Sequence, residues 1–197
     1  MDKKVEQNQE AKLQIILYAA FDAFMKFGVK RTSMADIAEG AEMSRAALYL
    51  HFKNKNDILR SLIETYYAQS CADVSEALSA EAAVPDQLKA GFLAQSGESF
   101  RALLDSPHGA EFMEAKSSAQ QSVADGNAAL IEVYATWLQR QAEAGRLEFA
   151  SIDPDARSLA ATMMRALEGL KSDAPRYEEY ARRRDQMALL FGRALQC

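Results

Sequence analysis

The stretch Met43–Leu59, MSRAALYLHFKNKNDIL, holds Ser44, Arg45, Tyr49, His51, Lys53 and Lys55 within a dozen residues. These side chains suit two kinds of chemistry. A serine hydroxyl next to a histidine is the beginning of a nucleophilic site, but the histidine then needs a third group to orient it. Hydroxyls, a phenol, an imidazole and cations along one short helix are also what grips a phosphate backbone. Ser44–Asn56 contains three cations and no carboxylate, so nothing local orients His51, and a small convex helix is a poor reaction vessel. Phosphate binding is the better reading.

The elements that must carry these residues are helical throughout, with no alternating strand pattern. Leu13, Ile16, Leu17, Ala20, Phe24 and Phe27 form one apolar stripe, and Gly28 is a suitable stop after it. Thr32 or Ser33 can cap a second helix to Gly40, with Asp36 in its first turn. Ser44 can cap a third helix to Phe52, and Asn54 a fourth running to about Leu78. The second and third are too short to stand alone and are joined by roughly three residues, the spacing of a helix-turn-helix. Met34, Ile37, Ala38, Ala41, Met43 and Leu48 should then pack inward onto Phe21 and Phe24.

That packing leaves Ser44, Arg45, Ala46, Ala47, Tyr49, Leu50, His51 and Lys53 outward or nearly so. Arg45 can address guanine bidentately, and Ala46 and Ala47 can touch thymine methyls. Ser44, and Thr32 or Ser33, combine a hydroxyl with helix-start amides, while Tyr49, His51, Lys53 and Lys55 offer donors to phosphate. Net charge is -5, yet residues 1–56 net +2 and the remainder -7, so a basic patch sits on an acidic chain. Screening makes that local balance the relevant one.

The run AAFDAFMKFGVKRTSMADIAEGAEMSRAALYLHFKNKNDIL closely resembles the DNA-binding domain of the tetracycline-repressor (TetR) family of bacterial regulators. Its most specific part, LYLHFKNKNDIL, matches the family pattern leucine–tyrosine–any–histidine–phenylalanine–any–any–lysine. TSMADIA and the preceding Phe–Gly turn add to the likeness, which is close over about residues 11–60. Glu42 occupies a turn position where the family often has glycine, so strain is expected there. Ala47 stands where a threonine or serine hydroxyl is common.

The remaining chain reads as an all-α bundle, about nine helices in total, divided as 1–55 (DNA-binding) and 56–197 (effector and dimerisation). Pro85, Pro107, Pro154 and Pro175 mark helix starts, with Asp153 the expected cap before Pro154, and Gly145 closes a helix bearing Val123, Asn127, Leu130, Tyr134 and Leu138. No phosphate loop, nucleophile elbow or metal spacing occurs, so no enzyme, cofactor or metal is expected. His108, beside Glu111 and Glu114, reads as a helix-start or surface histidine, and Cys71 as a packing residue. Arg182–Arg184 reads as a solvated or interface-edge face. The polar N-terminus, two unpatterned cysteines and lack of a long apolar run point to the cytoplasm and away from a membrane.

The resemblance implies a cavity for a small apolar or amphipathic effector. Phe100, Leu103, Phe112, Met113, Tyr134, Trp137 and Met164 are the candidates to line it, with Asn127 as a buried amide seeking a partner. It also implies a homodimer through Asp155–Ser172 and Arg176–Gln196. Leu159, Met163, Ala166 and Leu170 form one stripe there, with Gly169 for close approach. Tyr177, Tyr180, Ala181, Met187, Phe191 and Leu195 form the other. Such a dimer would bind a palindromic duplex operator and block transcription until effector binding changed the set of the long fourth helix. An activator would carry the same residues.

Overall fold

The computed structural model describes residues 3–172 and 176–196, for 3–7, 97–99 and 172 the backbone alone. Among them are nine α-helices and no strand: α1 Lys3–Phe27, α2 Met34–Gly40, α3 Arg45–His51, α4 Lys55–Ser79, α5 Val84–Asp105, α6 Gly109–Lys116, α7 Gln120–Glu143, α8 Ala156–Ser172 and α9 Tyr177–Leu195. A 3-10 turn, Ser117–Ala119, precedes α7. The chain divides into two units, one of Met1–Thr65 with Ala102–Val123, the other of Tyr66–Arg101 with Ala124–Cys197. A cut at residue 55 orders the motifs along the chain, whereas packing gathers α6 with the first three helices.

In the first unit, α1 buries Ile16, Leu17, Ala19, Ala20, Ala23 and Phe24. Leu13 and Phe27, at the two ends of the expected stripe, are 36% and 42% exposed. Gly28 ends α1 at φ +83°, a conformation that costs glycine little. α2 adds Met34, Ile37 and Ala38, and α3 adds Leu48 at 0% exposure. α2 approaches α1 at Gly40, where a Cβ would meet that of Ala19 at 3.4 Å, an ordinary van der Waals contact. Phe112 of α6 completes this core, edge-on to Phe21 at 5.9 Å and tilted against Phe24 at 6.2 Å.

In the second unit, Gly145, at φ +67°, follows α7. α8 begins at Ala156, two residues after Pro154, and Asp155 supplies the cap: its Oδ1 accepts from the Arg157 amide at 3.0 Å. Asp153, the expected cap, does not take that role; its carboxylate accepts from the Asp155 amide just before the helix. Pro175 lies outside the described residues. Leu159, Met163, Tyr177, Tyr180 and Leu195, assigned above to a dimer surface, are buried in the chain's own core. Amphipathic periodicity marks a buried face without saying which chain buries it. Arg182–Arg184 is also not one solvated face. Arg183 pairs with Glu179 at 2.5 Å, and Arg184 is 4% exposed, held by Asp185 at 2.8 Å.

Candidate nucleic-acid interface

α2 starts with a reciprocal cap. The Asp36 amide donates to Ser33 Oγ at 3.3 Å, while Asp36 Oδ2 accepts from the Ser33 amide at 2.7 Å and its hydroxyl at 2.8 Å. Those bonds from Ser33, amide first, hold the Asp36 carboxyl below the ordinary carboxylate range, and positive Lys55 adds to the effect. A carboxyl whose folded pKa is depressed stabilises above its unfolded pKa and loses that contribution as pH falls through the folded value. Ser33→Ala removes the cap hydroxyl and should lower stability at neutral pH. The difference from wild type should shrink as Asp36 protonates, as urea unfolding followed across the acid range would report.

The link between α2 and α3 is a helix-ending turn with two bonds. The Glu42 amide donates to the Glu39 carbonyl at 3.0 Å and the Met43 amide to the Ala38 carbonyl at 2.9 Å. This geometry puts residue 42 in the left-handed region, and Glu42 has φ 53°. The expected strain is therefore present, because a side chain there costs roughly 1–2 kcal/mol relative to glycine. Glu42→Gly should raise stability by about 0.5–1 kcal/mol once the greater freedom of unfolded glycine is subtracted. A higher melting temperature with an unchanged helical spectrum would show it.

α3 is capped by Ser44, whose Oγ accepts from the Ala47 amide at 3.1 Å, and is anchored by Leu48 and by Phe52 just beyond its end. Anchoring one side turns the other out. Ser44, Arg45, Ala46 and Lys53 are exposed, Ala47 and His51 are half-buried, and Tyr49 and Leu50 are 46% and 86% exposed. Ala46, Tyr49 and Leu50 fall at i, i+3 and i+4 of α3, one outward strip with Arg45 beside it, and Lys53 lies exposed just past the helix end. Nearly bare Leu50 serves no core and leaves apolar surface on this face of α3.

Two candidates face elsewhere. Thr32 is 2% exposed, and its Oγ1 donates to the Gly28 carbonyl at 2.7 Å, with the Ala23 carbonyl at 3.2 Å. Ser33 takes the cap, so Thr32 braces the turn. Lys55 Nζ lies 2.5 Å from the Val29 carbonyl, 2.8 Å from that of Thr32 and 3.3 Å from that of Lys30. On the other side of this turn, Glu111 of α6 accepts from the Lys30 amide at 2.5 Å. His108 precedes α6 with Nδ1 3.8 Å from Glu111 Oε2, which agrees with a helix-start role.

The effector candidates divide between the two units. Leu103, Phe112 and Met113 belong to the first unit, where Phe112 is core. Phe100, Asn127, Tyr134, Trp137 and Met164 belong to the second. Asn127 is exposed and not a buried amide: its Oδ1 accepts from the Tyr67 hydroxyl at 3.0 Å. Gly126 takes the inward position, where a Cβ would fall 2.1 Å from Tyr67 Cγ.

Gln87, Gln95, Ser96 and Gln141, buried polar side chains of this unit, were not among the candidates. Gln95 Oε1 accepts from Tyr134 at 3.1 Å, and Gln87 Oε1 accepts from Trp137 Nε1 at 3.3 Å. Ser96 Oγ and Tyr180 Oη share a 2.7 Å bond. Tyr180 packs on Phe100 at 4.7 Å, and the Lys171 ammonium sits 5.1 Å from the Phe100 ring and 2.8 Å from Glu168. Burial pushes the Tyr134 and Tyr180 phenols up, keeping them neutral donors. Burial alone would lower the pKa of Lys171, but Tyr66 and Glu168 outweigh it and keep the ammonium charged. Gln141 Oε1 is buried with no hydrogen-bond partner among the described residues. A signal for the glutamines was present: Gln87, Leu88, Gly91, Phe92, Gln95 and Ser96 share one face of α5 at helical spacing.

Among the described residues no group of three or more His, Cys, Asp or Glu side chains is placed to hold a metal, and no helix is long and apolar enough to cross a membrane. Cys71 is a half-buried free thiol whose pKa burial raises.

Comparison with known proteins matches residues 16–62 to the family described as "Bacterial regulatory proteins, tetR family". The HTH-type transcriptional regulator TtgR of Pseudomonas putida is 47% identical over 62 residues, 32% of this chain and 29% of that protein. AcrR of Shigella flexneri is 38% identical over 64 residues, 32% of this chain and 30% of its own. The match thus spans about three-tenths of these curated relatives. Solved structures extend the likeness of fold. SmeT, the repressor of the Stenotrophomonas maltophilia multidrug efflux pump SmeDEF, aligns with TM-score 0.66 at 23% identity over 92% of this chain and 88% of that one. A transcriptional regulator from Cytophaga hutchinsonii aligns with TM-score 0.75 at 21% identity over 94% and 99%. The segment matched by the family is the one that folds into α1, α2, α3 and the start of α4. Through residues 16–62, the helix-turn-helix segment is similar to the tetR family of bacterial regulatory proteins.

Proposed function

We propose that this protein is a repressor that binds a palindromic DNA operator as a homodimer and is released by a small apolar or amphipathic effector. One observation carries the DNA-binding part: the outward face of α3 combines Arg45, Ala46, Tyr49 and Leu50, with Lys53 just past its end, none of which the core requires. Arg45 reads a base edge, Ala46 and Leu50 meet apolar base or sugar surface, and Tyr49, His51 and Lys53 hold the backbone. Ser44 starts α3, whose first amides are offered to phosphate.

A second copy of the chain is needed to place two such helices on successive groove faces. Leu189 and Leu190 of α9, 43% and 67% exposed, support α8 and α9 as the dimer surface now that the buried stripes are assigned inward. Phe100, Tyr134, Trp137 and Met164 remain the candidates for the effector within the second unit. The repressor reading draws support from the 40% identity over 50 residues to the transcriptional repressor BepR of Brucella suis. Effector binding shifts a two-state equilibrium only by its differential affinity, which α4 would convert into head placement.

The test is selection of bound sequences from random duplex DNA. The proposal expects an enriched palindrome with two half-sites about one helical turn, or a multiple, apart. Enrichment of a single unrepeated half-site would defeat the dimer reading, and no enrichment by ligand-free protein would defeat the function.

A further inference from the structure

We infer that Lys171 makes the second unit a binding site for organic carboxylates, and that the effector belongs to this class. This rests on the effector-controlled function proposed above, and every residue involved lies in the second unit. Lys171 stands in the last turn of α8, where a cation meets the helix dipole favourably, and it pairs with Glu168 at 2.8 Å. Neither interaction requires burial. A lysine ordinarily lays its carbons on apolar surface and carries the ammonium out to water. Here the arrangement is reversed: the Lys171 side chain is 11% exposed and its carboxylate partner 53%. Taking a cation out of water is costly, so the buried member of this pair calls for a purpose beyond the pair.

The surroundings suit an apolar acid. The ammonium lies 5.1 Å from the centre of the Phe100 ring, on which Tyr180 packs edge-on at 4.7 Å. Ser96 gives its one hydrogen to the Phe92 carbonyl at 3.0 Å, so the Tyr180 hydroxyl donates to Ser96. The next ring, Tyr177, carries the Arg101 guanidinium at 4.3 Å, and Arg184 lies 5.9 Å from the Tyr180 ring. This row of rings therefore meets positive charge at three points, of which Lys171 is the one beside Phe100. An ammonium has three N–H donors, and one carboxylate partner leaves room for a second. Glu168, more than half exposed, can turn toward water as an incoming acid takes its place, while Phe100 and Tyr180 receive the body of the molecule. A cation would be repelled by Lys171, and a neutral molecule of the same shape would gain nothing from it.

The experiment is titration calorimetry of the full chain with benzoate, 1-naphthoate and octanoate, each beside its primary amide. It is run on wild type, Lys171→Met, Lys171→Arg and Glu168→Gln, with melting curves to establish that each variant is folded. At least one acid should bind wild type roughly tenfold or more tightly than its amide, the worth of a hydrogen bond to a charged group. Lys171→Met should erase that preference and leave amide binding as it was, and Lys171→Arg should keep part of it. Glu168→Gln should tighten the acid, because it removes the carboxylate that competes for the ammonium. Saturable binding by none of the acids would overturn the inference. Equal binding of acid and amide would overturn it too, while leaving an effector site of other chemistry. If Lys171→Met does not fold, Glu168→Gln decides: a tighter acid supports the inference and unchanged affinity overturns it. The bound acid should also release the duplex selected by wild-type protein. An acid that binds through Lys171 and leaves the duplex bound would support the site and refute the effector role alone.

Discussion

Arg45→Ala is expected to remove about 1–3 kcal/mol of discrimination per half-site, roughly 5- to 150-fold, while leaving the fold intact. Arg45 opens α3 with its side chain in solvent, so its loss leaves no cavity. Surface changes of this kind usually alter stability by less than about 0.5 kcal/mol. The specificity loss should concentrate at one base pair in each half-site, since the guanidinium fork matches guanine O6 and N7 together. Arg45→Lys separates charge from geometry: it should keep affinity for random duplex and lose most of the preference at that base. Repeating the sequence selection with both variants would measure this. Equal enrichment of the same palindrome by Arg45→Ala would assign base reading to another residue.

The largest stability effect is expected at Gly109. A Cβ built there would lie 1.8 Å from the Leu103 carbonyl oxygen and 2.9 Å from its carbon. These are backbone atoms of α5, so no side-chain rotation relieves the clash. Gly109→Ala must displace either the end of α5 or the start of α6, at a cost of about 3 kcal/mol or more. The displaced α6 carries Phe112, packed on Phe21 and Phe24, and Glu111, bonded to the Lys30 amide. The substitution should therefore loosen the DNA-binding core as well as α6. Amide hydrogen exchange would show lost protection in α1 and α2, and chemical denaturation a lower midpoint. Wild-type protection in those helices would mean that α6 moves without disturbing the core.

Local chemistry was the legible part of this sequence. Serine caps, Gly28, the spacing of α2 and α3 and the anchoring Leu48 each depend on neighbours within a turn or two, so order alone reveals them. Glu42 was readable for the same reason, as a side chain where the turn demands a left-handed residue. What escaped depends on partners far along the chain. Lys55 meets carbonyls 23 to 26 residues earlier, and Glu111 meets an amide 81 residues away. Phe112, a candidate effector contact, packs on Phe21 and Phe24, which lie about 90 residues earlier.

Phase and partnership account for other differences. On α7, Asn127 is only one residue from the inward Gly126, and the turn of about 100° between them separates solvent from core. In α8 and α9 the apolar stripes were read as a dimer surface, yet this chain buries half of their residues itself. Gln87, Gln95 and Ser96 sat on a visible apolar face of α5, but their partners Trp137, Tyr134 and Tyr180 lie on other helices.

The outward face of α3 as a DNA-reading surface is tested most directly by comparing wild-type protein with Tyr49→Phe/His51→Ala. Their affinities for the selected duplex would be measured across salt, with melting temperature followed alongside. DNA binding through this face predicts at least tenfold weaker binding by the double variant at an unchanged melting temperature. Equal affinity over the whole salt range would contradict it, and would move any DNA contact to another surface of the chain.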